Sequence, residues 1–313
     1  MHVTVGVVGT QERCHAIAAS LAKRGTANDI AIYNHGSSEG VYTYVCTNTE
    51  PGKPQKVQPL LQALAMVDFP VLAISALTKD VGEVIVAVDE MRFARGFIVA
   101  DAATADALRP MIRGTSLEGF EFVGEDALQQ KIAEAKPERD ESGPAVVPVD
   151  NYFNVKGVGT VVLGIVKSGK LKLHDKLVVE PAGTEVSVKG IQSQDKDLEE
   201  SAAGMRIGLN LKGVEAEELK RGYVVCAPGA MLKSAELKLK FAQSRFSKHE
   251  LKQGTRVMLA AGLQIVSCVV VSFADGELAL KADGSVAYTK AQRFIIASQN
   301  ETMPRIIGSG VIA

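Results

Sequence analysis

The sequence predicts a doubly wound α/β domain followed by two small β-barrels. Three observations carry this. Short apolar runs alternate with helical periodicity over residues 1–135. A charged linker with Pro and Gly, EAKPERDESGP over 134–144, then breaks the pattern, placing a boundary at 136–145. Beyond it, β-branched segments spaced by turns fill 146–228 and, after Ala227-Pro228-Gly229, a further block at 229–313.

The elements follow in order. His2 to Val8 reads as a buried strand and Glu12 to Arg24 as a helix. Val41 to Cys46 and Val71 to Ser75 read as strands around a helix from Lys56 to Met66. Pro59 falls in the first turn of that helix, where a missing N–H costs little. A helix from Asp80 to Arg92, a strand from Gly96 to Ala100 and a helix from Thr104 to Met111 come next. Phe120 to Val123 and Glu125 to Ala133 make a last strand and helix. In the barrels, Lys167-Ser168-Gly169-Lys170 and Pro181-Ala182-Gly183-Thr184 are turns. Leu237-Lys238-Leu239-Lys240-Phe241 is a strand with one apolar and one cationic face.

Composition narrows the class. With 313 residues, 46% hydrophobic and 23% charged, the chain has room for two or three cores and is neither disordered, collagenous nor a disulfide-stapled miniprotein. Cys14, Cys46, Cys226 and Cys268 form no CxxC pair, and the five histidines are scattered, so no zinc spacing is present. Met1 to Gly9 lacks the charge and apolar block of a signal peptide. The longest apolar run, Val257 to Phe273, is broken by Gln264, Ser267 and Ser272 and reads as strands. A soluble cytoplasmic protein is expected, with no membrane contact and as a monomer. The formal charge of -1 conceals an asymmetry: residues 1–145 carry 13 basic and 19 acidic side chains, 146–228 carry 11 of each, and 229–313 carry 11 basic and 6 acidic. A basic last third attracts polyanions.

Local motifs sharpen the assignment. Residues 148–164 read PVDNYFNVKGVGTVVLG, followed by Gly169-Lys170-Leu171, Asp175-Lys176-Leu177, Ala203-Gly204-Met205-Arg206-Ile207-Gly208-Leu209, Leu211-Lys212-Gly213-Val214 and Arg221-Gly222. This stretch resembles the second domain of the translational GTPases, the EF-Tu family, and its Phe-x-Val-Lys-Gly-x-Gly segment is closest to the SelB branch. Arg305-Ile306-Ile307-Gly308-Ser309-Gly310 resembles, more weakly, the family's third domain. On overall likeness the resemblance extends to archaeal SelB-like factors and to the methanogen proteins proposed to serve pyrrolysine. The glycines at 157, 159 and 164 suit bulges and tight corners of a small barrel.

The resemblance implies a P-loop GTPase-like N-terminal domain, and there the sequence departs from the family. A phosphate loop needs Gly-x4-Gly-Lys-Ser/Thr, whose glycines bring backbone N–H groups to the phosphates while the Lys and hydroxyl serve phosphate and magnesium. Gly9 is kept, but Cys14, His15 and Ala16 stand where Gly, Lys and Ser/Thr belong. Thr49-Glu50-Pro51-Gly52-Lys53 stands for Asp-Thr-Pro-Gly-His, so Thr49 replaces the magnesium-shell aspartate and Lys53 the water-positioning histidine. Asp101-Ala102-Ala103-Thr104 stands for the guanine-reading Asn-Lys-x-Asp, with no carboxylate at Thr104. Asn28 to Gly40 is too short for a full first switch. Four losses together remove the groups that stabilise transferred phosphate charge. Lys53 or Arg13 leaves room for weak anion binding, so GTP and magnesium are cofactors only if this degenerate site still binds them.

Two features remain for function. By resemblance, Asp150, Asn151, Phe153 and Arg206 fall at the family's aminoacyl pocket. Phe153 would offer an aromatic wall and Asp150 an acceptor for an α-amino group. Arg206 follows the SelB pattern and Asn151 departs from it; a barrel-edge salt bridge explains Arg206 equally well. The second feature is a basic face of Lys233, Lys238, Lys240, Arg245, Lys248, Lys252 and Arg256 against Glu236 and Glu250. In the family this domain grips tRNA, which needs cations without sequence readout. A solvated strand face is the alternative. The expected function is that of an elongation-factor-like protein binding aminoacyl-tRNA, acting with the ribosome or another translation factor. The rivals are a working GTPase with an atypical nucleotide site and a regulatory decoy that binds a translation protein.

Overall fold

The computed structural model describes residues 1–37, 40–49, 55–300 and 302–313. The N-terminal elements are β1 (His2–Gly9), α1 (Gln11–Leu21), β2 (Lys23–Ala27), β3 (Ile30–Gly36), β4 (Val41–Thr47), α2 (Val57–Met66), β5 (Phe69–Ala73), α3 (Lys79–Met91), β6 (Phe97–Val99), α4 (Ala102–Ile112), β7 (Glu121–Phe122) and α5 (Glu125–Glu134). They build a seven-stranded sheet in the order β2-β3-β4-β1-β5-β6-β7. Strands β4 to β7 run parallel around β1, and β2 and β3 add on antiparallel. The central strands are apolar at nearly every position because helices cover both faces of a parallel sheet. Val3, Val5 and Val7 of β1 are buried with Tyr44, Phe69, Val71 and Val99.

Strands β2 and β3 correct the sequence expectation. The helix expected to reach Arg24 ends at Leu21, and Ala22 turns extended, with φ -156 and ψ 160. Lys23–Ala27 is a polar edge strand with no alternation for a period-two search to find. Ile30-Ala31-Ile32-Tyr33 is buried and pairs with β4, so much of Asn28 to Gly40 is sheet. The other helices and strands of this domain fall within about two residues of their expected bounds, as is usual for helix and strand ends, while the barrel strand expected over Leu237 to Phe241 extends to Leu232–Gln243.

The next strands are β8 (Val146–Val155), β9 (Gly159–Ile165), β10 (Lys170–Lys172), β11 (Lys176–Glu180), β12 (Thr184–Ser193), β13 (Lys196–Leu198), β14 (Glu200–Ala202), β15 (Arg206–Lys212) and β16 (Val224–Cys226). Six of them close a barrel in the order β11-β16-β8-β9-β15-β12, sealed by the β11–β12 pairing, with β13 beside β12 and β10 paired to β14. Val147, Val149, Val162, Leu177, Val188, Leu209 and Leu211 fill it. Gly164 is required by close approach: a Cβ there would stand 2.4 Å from the Pro148 carbonyl oxygen.

A second closed barrel comprises β17 (Leu232–Gln243), β18 (Arg256–Ala261), β19 (Gln264–Ala274), β20 (Glu277–Tyr288), β21 (Phe294–Ser298) and β22 (Ile306–Ile312), in the order β17-β20-β19-β18-β21-β22. In β17, Leu237, Leu239 and Phe241 point inward while Lys238 and Lys240 point out. Among the described residues no helix is long and apolar enough to cross a membrane.

By compactness the chain forms two units, one of Met1–Pro137, Phe241–Glu250 and Ile295–Gly310, the other of Glu138–Lys240, Leu251–Phe294 and Val311–Ala313. Within the first, α3 buries Glu83 at 2% exposure, and its carboxylate takes a forked ion pair from Arg305 as well as the Arg305 backbone N–H at 2.7 Å. Ser309 Oγ donates to Glu90 Oε2 at 2.7 Å. Removing one partner of a buried pair leaves an uncompensated charge. Glu83→Ala is therefore expected to destabilise this unit by about 3–5 kcal/mol, read from its urea unfolding transition. A midpoint unchanged from the parent would show that Arg305 finds water or another partner.

Candidate functional site

The nucleotide-site positions sit where β1 meets α1, and their geometry is set by one turn. Gly9 ends β1 at φ +135, and a Cβ on it would meet the Ala73 carbonyl oxygen at 2.4 Å. The Thr10 N–H donates to that same oxygen at 2.9 Å, and Ser75 N–H donates to Thr10 Oγ1 at 3.1 Å. Helix α1 starts at Gln11, so a single residue separates strand from helix.

Cys14, His15 and Ala16 are consequently helical. The Cys14 N–H is bonded to the Thr10 carbonyl at 2.9 Å. Its side chain is buried, and burial pushes the thiol well above its ordinary value. His15 Nδ1 lies 2.9 Å from the Tyr33 hydroxyl; burial, then the charge of Arg24, lowers its pKa and favours the neutral ring. Ala16 faces solvent.

Across from α1, the Gln11 side chain donates to the Thr49 carbonyl at 2.8 Å and accepts from the Thr49 N–H at 3.0 Å. No motif pointed to Gln11, and only its place one residue past Thr10 marks it. Gly52 and Lys53 lie outside the described residues. Arg13, the other cation available for an anion, pairs with Glu125 at 2.7 Å. Asp101 caps α4: its carboxylate accepts from the Thr104 N–H at 2.8 Å and hydroxyl at 3.0 Å. Those bonds lower its pKa, the backbone one foremost. Both positions of the guanine motif thus serve a helix end.

Cys46, Cys226 and Cys268 are also buried, and burial pushes each thiol up to about 12, so they are protonated core groups. Among the described residues, no group of three or more His, Cys, Asp and Glu side chains is placed to hold a metal ion.

The structure brings Asp150 and Arg206 together. Asp150 sits at a bulge of β8 between Val149 and Asn151, and Arg206 opens β15. Their side chains, 7% and 12% exposed, form a bidentate ion pair, and Arg221 Nε donates to the Asp150 carbonyl at 3.1 Å. Asn151 Oδ1 accepts from the Tyr152 N–H at 2.9 Å. Phe153 stands 41% exposed. Asp150 is therefore engaged, while the Phe153 ring is open.

The seven basic candidates divide by partner. Lys233 pairs with Glu180 at 3.0 Å, Lys238 with Glu277 at 3.8 Å and Arg256 with Asp283 at 3.1 Å. Arg245 donates to the Arg113 carbonyl and stacks on Phe246 at 4.6 Å. Lys252 is exposed. Lys240 and Lys248 are exposed and, among the described residues, have no carboxylate partner. A pair as exposed as Lys238–Glu277 is worth little, so Lys238, like Lys240 and Lys248, presents its charge to solvent.

Comparison with known proteins places this architecture. Residues 159–226 match the family model for elongation factor Tu domain 2. The chain is 32% identical to an uncharacterized protein of Methanocaldococcus jannaschii, over 98% of each. It is 34% identical over 138 residues to the selenocysteine-specific elongation factor of the same organism, a match spanning 43% of this chain and 29% of that one. Its fold matches translation elongation factor SelB from Methanococcus maripaludis, solved in complex with the GTP analogue GPPNHP, at a TM-score of 0.84 and 19% identity, over 99% of this chain and 78% of that one. With the second-domain motifs in order and an α/β sheet followed in the chain by two closed six-stranded barrels, the chain carries an elongation factor Tu domain 2, resembles the translational GTPases EF-Tu and SelB in sequence and shares the fold of SelB.

Proposed function

We propose that the chain is an aminoacyl-tRNA-binding protein of the elongation-factor type whose N-terminal domain neither binds GTP tightly nor hydrolyses it efficiently. The observation that carries this is the helical state of Gln11 to Ala16. A phosphate cradle needs backbone N–H groups freed from secondary structure and turned toward the ligand. Here the strand passes to the helix through Thr10 alone, and the Cys14 N–H is already bonded. Ala16 offers no hydroxyl for magnesium, and Asp101 with Thr104 closes on itself.

The tRNA half of the proposal is supported by the outward lysines of β17 and the excess of basic residues after 228. RNA duplexes are held through phosphate and 2′-OH, which such a face suits. The selenocysteine-specific relative supports an aminoacylated ligand. Within the pocket, Phe153 is the open wall, and the Asp150–Arg206 pair braces β8 against β15 behind it.

Calorimetric titration with GTP and magnesium is expected to show no binding tighter than micromolar. A magnesium-dependent affinity below that would restore the working-GTPase alternative.

tRNA retention should fall steeply with salt, with a log–log slope that loses about 0.9 for each duplex phosphate contact removed. Replacing Lys238, Lys240 and Lys248 by Glu is expected to abolish most of the affinity in gel shift. Unchanged retention by that triple variant would make the face ordinary solvated surface.

Arg206→Ala and Phe153→Ala separate brace from wall. Arg206→Ala leaves Asp150 buried and unpaired, so a stability loss of about 3–5 kcal/mol is expected in thermal unfolding. Phe153→Ala should leave the melting temperature in place and narrow the preference for aminoacylated over deacylated tRNA, measured as protection of the ester from hydrolysis. Equal losses for both tRNA forms would make Phe153 a general RNA contact.

A further inference from the structure

A cavity of about 310 Å³ opens between the end of β17 and the connection from β21 to β22, lined by Phe246, Lys248, His249, Thr302, Met303 and Pro304. Neither the family motifs nor the aminoacyl pocket includes it. All six residues belong to one compact unit.

The lining has a definite chemical character. Phe246, Met303 and Pro304 give an apolar wall. The Arg245 guanidinium, 4.6 Å from the Phe246 ring centroid, covers part of that ring and makes it a rigid platform. His249 Nε2 lies 3.1 Å from the Pro304 carbonyl oxygen. A carbonyl only accepts, so Nε2 carries the proton, and this bond ties the two sides of the cavity together. Lys248 is exposed, without a carboxylate partner among the described residues, and among those residues no carboxylate lines the space. Thr302 adds a hydroxyl at the rim.

We propose that this cavity binds a single nucleotide unit, with a planar base against Phe246 and its phosphate on Lys248. An apolar wall of Phe246, Met303 and Pro304 with the exposed Lys248 ammonium at its side matches a planar monoanion or dianion. The volume lies at the low end of small-molecule sites, roughly 300–1,000 Å³, enough for one base and its ribose phosphate. The same chemistry is offered by a free nucleoside monophosphate and by an unpaired nucleotide of an RNA strand. The cavity requires neither GTP binding near α1 nor an aminoacyl group at Phe153; it shares Lys248 with the basic face proposed for tRNA, so Phe246, which that face does not include, is the residue that tests it separately.

The test titrates the full chain with AMP and with a single-stranded penta-adenylate by equilibrium dialysis. Saturable binding is expected, weakened about fivefold or more in Phe246→Ala, the lower end of what loss of one base–aromatic stack does. Lys248→Ala should weaken it comparably and flatten its salt dependence, while Lys238→Glu with Lys240→Glu leaves AMP binding unchanged. Phe246→Leu keeps apolar filling and stability but removes the planar ring; it should bind as poorly as Phe246→Ala with the parent melting temperature. Competition assigns the source. Penta-adenylate binding tighter than AMP and displaced by AMP points to an RNA strand, and AMP binding alone points to the free nucleotide. No saturable binding of either probe at millimolar concentration, or equal binding by parent and Phe246→Leu, overturns the proposal. tRNA binding lost with AMP binding intact would fail the tRNA proposal and leave this one standing.

Discussion

The approach of Gly9 to the carbonyl of Ala73 governs the N-terminal sheet's working edge. At 2.4 Å from that oxygen there is no space for a Cβ, and the same oxygen takes the Thr10 N–H. The chain is thereby pinned to β5 at the very point where it leaves β1, and it enters α1 one residue later. The Gln11–Thr49 bonds then tie the start of the helix to the backbone two residues past the end of β4. Each bond is of ordinary strength, about 0.5–1.5 kcal/mol net, and together they hold the start of α1 against Thr49.

Reuse of functional positions as structural ones recurs. The Asp101 carboxylate accepts the Thr104 N–H and hydroxyl at the start of α4, an arrangement that typically stabilises a helix by about 0.5–2 kcal/mol. His15, where a phosphate-binding Lys would stand, is a partly buried neutral ring bonded to Tyr33. Tyr33 belongs to β3, so even the segment assigned to the first switch contributes a fixed partner in place of a mobile loop. In the barrel the same logic applies to Asp150, whose carboxylate is fully engaged by Arg206. Among the described residues, Phe153, Lys240 and Lys248 stay exposed, and Phe246 carries the Arg245 guanidinium on its ring.

The fold class and most elements were legible in the sequence because parallel strands buried on both faces and alternating barrel strands have unmistakable periodicities. The motifs around Phe153-x-Val155-Lys156-Gly157 also located the second domain, which its family model matches over 159–226. Strand β2 was not legible. Its residues, Lys-Arg-Gly-Thr-Ala, carry no apolar face, and only pairing with β3 makes them a strand. Nor could the sequence decide whether Arg206 was a ligand contact or half of a salt bridge, since the bulge that turns Asp150 toward it leaves no one-dimensional signal. The cavity beside His249 escaped for a related reason. Arg245-Phe246-Ser247-Lys248-His249 is a basic and aromatic cluster on the page, but Thr302 to Pro304 lie more than fifty residues away and meet it only in the folded unit.

These observations separate two kinds of change in a translational GTPase scaffold. Substitution of Ala16 or Thr49 alone would weaken nucleotide chemistry while leaving the cradle's shape, and such a site could regain function through one compensating cation. Here Thr10 alone separates β1 from α1, and Arg13 pairs with Glu125 at 2.7 Å. Under the function proposed above, recovery of nucleotide binding would need the Gln11 to Ala16 turn to rearrange as well as its side chains to change. The barrels differ: their close approaches and alternating faces are those of closed barrels, and the lysines of β17 project outward, which is the surface the proposed tRNA binding uses.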